Sequence, residues 1–240
     1  MSCTGIETRG SIGNATGGAS PPHGFRCAPV QRKGRLWPGG RGEPPANGNH
    51  ALTDTLARLA AESDIARVIH LYCHALDRRR WELMDQVFHD DARYGFGDIG
   101  GDWRDFVRAA RSIVDPLGPC HHMVANILMD IDGDVAQVET YLIGHHVVPA
   151  DYPPGLNTNG LYYARPGERY VSVVGGRYVD RFENRGPGWR IARRAGLYDW
   201  IQDMDYTDGG LSASPDPALG KHGDGDPSLP VVARLMGRRG

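Results

Sequence analysis

The stretch Cys120-His121-His122-Met123-Val124-Ala125-Asn126, running on through Ile127-Leu128-Met129-Asp130-Ile131 to Asp132-Gly133, decides how this chain is read. An Asp-Gly step between two apolar runs is a strong hairpin signal. Residues His121 to Ile131 therefore form one strand and Val135 to Val148 the next. Side chains alternate faces along a strand. One of His121 and His122 then points into what the sheet encloses and the other points out, and the same holds for His145 and His146. Alternation groups His122, Val124, Asn126 and Leu128 on one face and His121, Met123, Ala125 and Ile127 on the other. Both faces are mixed, so periodicity leaves the inward histidine open. An imidazole among apolar neighbours can take or give a proton near neutral pH. A lone histidine there is more often a hydrogen-bonded core residue, and a second residue, Asp77, is what points to chemistry.

Upstream of this hairpin the pattern is helical. Ser63 and Asp64 suit the start of a helix, and Ile65, Val68, Ile69, Tyr72, Cys73 and Leu76 make an apolar stripe at helical spacing. Asp77 follows at the edge of that stripe, at a helix C-terminus, where the macrodipole disfavours a carboxylate. It is either solvated or held for a purpose. The run Arg78-Arg79-Arg80 reads as a solvated basic cap. A short helix with Trp81, Met84, Val87 and Phe88 inward comes next, then a short strand at Arg93 to Phe96. Asp102 caps a further helix carrying Trp103, Phe106, Val107, Ala110 and Val114, closed by Pro116 and Gly118.

Downstream, Arg169 to Glu183 and Trp189 to Trp200 are two more long strands. Gly175-Gly176 lies within the first and marks a bulge or bend. The Pro/Gly/Asn-rich connection Pro149 to Gly167 is long for a hairpin and suits a lid. Helices first and an antiparallel meander second is an α+β order. A curved antiparallel or mixed sheet wrapped round the N-terminal helices would make a closed cone with one mouth. Residues 1–50 are rich in Gly, Pro, Ser and Arg and are expected to be disordered. The domain is expected at 51–202, and 203–240 reads as a loose tail with a docking segment around Leu229 to Leu235.

Composition sets limits. The chain has 240 residues, 40% hydrophobic, with net charge -2. That suits one globular domain plus tails and argues against a nucleic-acid-binding surface. Cys3, Cys27, Cys73 and Cys120 form no CxxC pair, so reduced thiols in a cytoplasmic protein are expected, with neither disulfides nor a zinc site. No secretory leader and no membrane span is visible, so neither nucleic acid nor membrane is expected as a partner.

Three polar groups suit convergence in the cone: Asp77, His122 and Tyr72. A carboxylate accepting from one imidazole nitrogen fixes the tautomer and raises the basicity of the other. Tyr72 could donate to a substrate oxygen, and as a core tyrosine it is equally well explained. One of Arg193 and Arg194 could reach inward to an anionic or leaving group. A metal-dependent alternative needs His122, His146 and a carboxylate to converge; no HxH or HExxH spacing supports it. No nucleophile elbow and no dinucleotide fingerprint is present.

Tyr72-Cys73-His74-Ala75-Leu76-Asp77 with Trp81-Glu82-Leu83, His121 to Asn126, Gly175 to Phe182 and Trp189 to Arg194 together resemble SnoaL-like members of the NTF2-like superfamily. The resemblance spans about Leu52 to Gln202. Within it the pattern is similar to scytalone dehydratase, bile-acid 7α-dehydratase and hexachlorocyclohexane dehydrochlorinase. It implies a cone-shaped α+β barrel, chemistry without cofactor or metal, and a homo-oligomer (dimer or trimer) formed through an open sheet face. It implies catalytic roles for His122, Asp77 and Tyr72, and substrate contacts from Arg194 and His146; Asn126, on the His122 face by alternation, is a further candidate substrate contact. Leu76 stands where scytalone dehydratase has a tyrosine, and Tyr72 where the dehydrochlorinase has a lysine. The resemblance therefore implies a reaction type, a lyase or isomerase (dehydratase or dehydrohalogenase) acting on a small apolar ring compound, rather than either substrate. The alternative is a non-catalytic ligand-binding or assembly module of the same fold.

Overall fold

The structure, a computed structural model, describes residues 48–96, 99–153, 165–186, 188–209 and 219–237. The expected N-terminal disorder and the expected lid fall largely on residues outside these ranges.

Helix α1 is continuous from Gly48 to Asp77. Ser63 does not start it. No Gly or Pro interrupts the run from Ala51 to Asp77, so nothing breaks the hydrogen-bond ladder, and Ser63 sits exposed in mid-helix. The predicted stripe is inside: Ile65, Ile69, Tyr72, Cys73 and Leu76 are buried, each aliphatic contributing about 1.5–3 kcal/mol. The first turns carry Leu52, Leu56 and Leu59 in the open. A 3-10 turn, Trp81–Leu83, leads into α2, Met84–Val87, and then β1, Phe88–Phe96. Strand β1 starts five residues earlier than the sequence indicates, and a short strand β2, Ile99–Asp102, pairs with it antiparallel. Helix α3, Trp103–Val114, is capped as expected: the Asp102 carboxylate accepts from Arg104 N at 2.9 Å.

The long strands are β3, Cys120–Asp132; β4, Val135–Val148; β5, Tyr170–Asn184; and β6, Trp189–Asp205. Gly133, at φ 57, supplies the turn between β3 and β4. The six strands form one sheet in the order β2-β1-β6-β5-β4-β3. Strands β3 to β6 are the expected meander, while β1 joins β6 in parallel, which makes the sheet mixed. It does not close: β2 and β3 are its two edges. The fold is α+β, with α1 and the aromatic residues of β1 and α3 packed on the inner face.

Bulges set which residues face inward. Pairing of β3 with β4 shifts between Ala125 and Leu128, and Asn126 there has φ 48, a left-handed conformation that Asn tolerates better than most residues. His122 and Val124 lie inward before the bulge; Ile127, Met129 and Ile131 do so after it. Uniform alternation therefore fails for this strand, and Asn126 and Leu128 leave the face of His122. A second shift falls at Gly175-Gly176, as the glycine pair suggests.

The described part of the C-terminal stretch is not loose. Gly223 N donates to Arg78 O at 2.7 Å, and Asp226, buried, accepts from Lys221 N and Ser228 N at 2.9 Å each. A helix α4, Leu229–Gly237, follows. The arginine run at the end of α1 is likewise no solvated cap. Arg78 faces Asp226, and Arg80 binds Glu82. Arg79 is committed to several backbone carbonyls. Among the described residues no helix is long and apolar enough to cross a membrane.

Candidate functional site

Asp77 is the last residue of α1, and the start of β3 runs past it. The backbone N–H of His122 donates to both Asp77 oxygens, at 2.9 and 3.1 Å. The imidazole Nδ1 of the same residue lies 2.7 Å from Asp77 Oδ1. A carboxylate only accepts, so Nδ1 carries a hydrogen, and in the neutral imidazole that tautomer puts the lone pair on Nε2. The two side chains are 12% and 9% exposed, so water competes little for the contact. Of the two histidines that alternation could not separate, His121 is exposed and His122 is the inward one.

Strand β4 brings a second imidazole beside the first. His146 is buried, and its ring centroid lies 5.2 Å from that of His122 at an edge-on angle of 73°. Burial, and then the neighbouring His122, hold His146 well below the ordinary histidine range, so it is neutral. Gly144, opposite His122 in the ladder, makes room for both rings. A Cβ there would sit 2.8 Å from His146 Cε1 and 3.5 Å from His122 Cδ2. Among the described residues no three His, Cys, Asp or Glu side chains come together in a way that could hold a metal ion.

Tyr72 is placed deeper. Its ring is fully buried and its hydroxyl lies 3.0 Å from that of Tyr94 on β1. Arg194 lies over it, with the guanidinium carbon 4.2 Å from the Tyr72 ring centre and 4.2 Å from that of Tyr178. Arg194 also forms a two-pronged pair with Asp180, Nε to Oδ1 and Nη2 to Oδ2, both 2.7 Å. Both side chains of that pair are wholly inaccessible. Burial pushes the Asp180 carboxyl up against the pull of Arg194, and it also raises Tyr72, Tyr94 and Tyr178, so the phenols are neutral. The Nη1 atom of Arg194 is buried without a hydrogen-bond partner among the described residues. Arg193 is exposed, as is Asn126, four residues along β3 from His122.

Tyr94 and Asp180 went unrecognised in the sequence. Asp180 could have been found: it shares the inward alternation of Tyr178 and Phe182, and a carboxylate there demands a cation. Tyr94 carried no comparable signal, because its role comes from a parallel pairing, Tyr94 against Arg194, between distant segments. A cavity of about 280 Å³ opens beside the end of β4, lined by Val148, Pro149, Tyr152, Arg165 and Tyr170 among others; Asp77 and His122 are not among its walls.

Comparison with known proteins agrees with this architecture. The chain is 26% identical over 143 residues to an uncharacterized protein of Mycobacterium tuberculosis, Rv2910c, covering 58% of this chain and 86% of the relative. A putative scytalone dehydratase from Novosphingobium aromaticivorans superposes with a TM-score of 0.51 at 18% identity, over 64% of this chain and 93% of that one. A type 2 hexachlorocyclohexane dehydrochlorinase (LinA) superposes at 0.53 with 15% identity, over 65% and 99%. At such identities these two speak for the fold alone. The model of the SnoaL-like domain matches residues 57–195, more than half of the chain, and with the N-terminal helix, the mixed sheet and the inward His122 in place the chain belongs to the SnoaL-like family.

Proposed function

We propose that this protein is a cofactor-independent lyase or isomerase in which His122, oriented by Asp77, acts as general base on a small apolar, ring-containing substrate. The observation that carries the reading is the 2.7 Å contact between Asp77 Oδ1 and His122 Nδ1, made between two largely buried side chains. Nε2 of His122 removes a proton from a substrate carbon. The C–H electron pair forms a carbon–carbon double bond, and hydroxide or halide departs from the adjacent carbon. In an isomerisation the proton returns at another carbon instead. General base catalysis of this kind contributes ~10²–10⁴-fold, and positioning in an apolar interior supplies the rest. His146, neutral and in contact with His122, suits a hydrogen bond to the departing group. The free Nη1 of Arg194 and the Tyr72–Tyr94 hydroxyls suit a developing negative charge. Asn126 has the weakest support, being exposed. Buried free thiols at Cys73 and Cys120 fit a cytoplasmic protein. Met123, Tyr141, Ile143, Leu197 and Trp200 are exposed on β3, β4 and β6, and suit contact with a second copy.

The test is a screen of hydroxylated and halogenated ring compounds, read by product analysis, with wild type, His122→Ala and Asp77→Asn in parallel. Turnover that falls ~10²–10⁴-fold in His122→Ala is expected. Turnover indifferent to that change, or saturable binding with no product, favours a non-catalytic ligand-binding module. The cavity walled by Val148, Tyr152 and Tyr170, apart from Asp77 and His122, is the observation on that side.

A further inference from the structure

The end of α1 has an unusual cap. Arg80 N donates to Ala75 O at 2.9 Å and Arg79 N to Leu76 O at 3.3 Å, the paired bonds of a Schellman ending. The left-handed position of that motif normally holds glycine; here it holds Arg79, at φ 53. A side chain in that conformation costs roughly 1 kcal/mol against glycine. Strain of this sort persists where the side chain does something the backbone needs.

The Arg79 guanidinium reaches across three chain segments. Nη2 donates to Val114 O at 2.8 Å, Leu117 O at 2.9 Å and Gly118 O at 3.2 Å, which are carbonyls at and beyond the end of α3. Nη1 donates to Asp77 O at 3.2 Å and to Cys120 Sγ at 3.4 Å. Cys120 opens β3, two residues before His122, and its thiol is fully buried. One planar fork therefore ties the residue that carries the carboxylate to the strand that carries the imidazole, and anchors both to α3. A lysine ammonium cannot reproduce that fan of bonds.

We propose that Arg79 is the positioning residue of the proposed site: it fixes the end of α1 against the start of β3 so that Asp77 and His122 meet at hydrogen-bond distance. This rests on the reading of that pair as the chemical centre, and the experiment separates the two. Proton NMR of protein with ¹⁵N-labelled histidine reads the Nδ1–H of His122 directly, without a substrate. Wild type is expected to show a far-downfield, slowly exchanging imidazole resonance that disappears in Asp77→Asn. In Arg79→Gly the helix ending keeps its preferred residue and loses only the side chain. The resonance is expected to vanish or broaden while circular dichroism retains the fold, and ethylguanidinium at millimolar concentration restores it. Arg79→Lys, which keeps the charge, is expected to lose the resonance as well, and it carries the test if the glycine variant does not fold. A wild-type resonance that survives unchanged in Arg79→Gly or Arg79→Lys overturns the inference and leaves Arg79 as a plain cap for α3. Absence of the resonance from wild type overturns the reading of the pair itself.

Discussion

Breaking the pair between Asp180 and Arg194 is expected to be among the costliest single changes in this protein. Both side chains are wholly inaccessible and joined by two 2.7 Å bonds. In Asp180→Asn one carboxylate oxygen becomes an amide N–H facing a guanidinium N–H, and the guanidinium cannot give up its proton. An uncompensated buried charge of this kind costs about 3–5 kcal/mol, against a total stability of roughly 5–15 kcal/mol. For a domain of 150–250 residues that lowers Tm by roughly 6–20 °C. Arg194→Met is expected to cost less. It strands the acid rather than the base, and burial already pushes the Asp180 carboxyl upward, so it can take a proton and go neutral. Asp180→Leu with Arg194→Met removes both charges and is expected to recover most of the loss. It would not exceed wild type by much, because stacking of the guanidinium on Tyr72 and Tyr178, about 0.5–2 kcal/mol each, goes with it. The assay is denaturant unfolding of these proteins together with Asp180→Leu, which with Arg194→Met, the double variant and wild type closes a double-mutant cycle. A loss below about 1 kcal/mol for Asp180→Asn, or a double variant no better than the sum of its parts, refutes the burial and pairing argument. The same double variant bears on function: if it is stable yet has lost turnover, Arg194 serves the substrate as well as the fold.

Three further outcomes are expected. His146 is held below the ordinary histidine range when folded, so the unfolded chain takes its proton first; the stability it contributes is present above about pH 6.5 and is lost as pH falls. His146→Gln should flatten the decline of unfolding free energy below pH 6.5 by up to about 1.4 kcal/mol per pH unit; an unchanged slope would falsify the assignment. Gly144→Ala places a methyl 2.8 Å from His146 Cε1 and is expected to cost about 1–3 kcal/mol and shift the imidazole carbon resonances of His122 and His146, whereas wild-type stability and shifts would mean the rings have room to spare. Asp226 is drawn down to about 2 from 3.8, chiefly by hydrogen bonds from Ser228 and Lys221 that outweigh its burial. Its stabilising effect is thus present above pH 3.8 and fades as pH falls toward 2. The stability gap between wild type and Asp226→Asn should be flat above pH 4 and shrink below it; a gap independent of pH rules out the carboxylate as the anchor of the C-terminal segment.

The α+β order, the helical stripe from Ile65 to Leu76, the cap at Asp102 and the hairpin at Asp132-Gly133 were legible because each rests on contacts within a few residues. The pairing of a helix-end aspartate with a strand histidine could also be suspected, since Asp77 sits where the helix dipole does not want it. Other features could not be read this way. Arg78 and Arg79 look alike in sequence, and only the arrival of α3, β3 and the C-terminal segment gives them different partners. Asn126 shares the alternation of His122 until a bulge in the β3–β4 pairing turns it outward. Arg194 looks like a free substrate arginine until Asp180, fourteen residues earlier, lies beside it in the ladder. The sequence by itself determined the elements and the chemical types, because periodicity and capping are local. Only the tertiary structure decided which imidazole faces inward and which charges are paired, because strand register and the approach of distant segments depend on packing over the whole sheet.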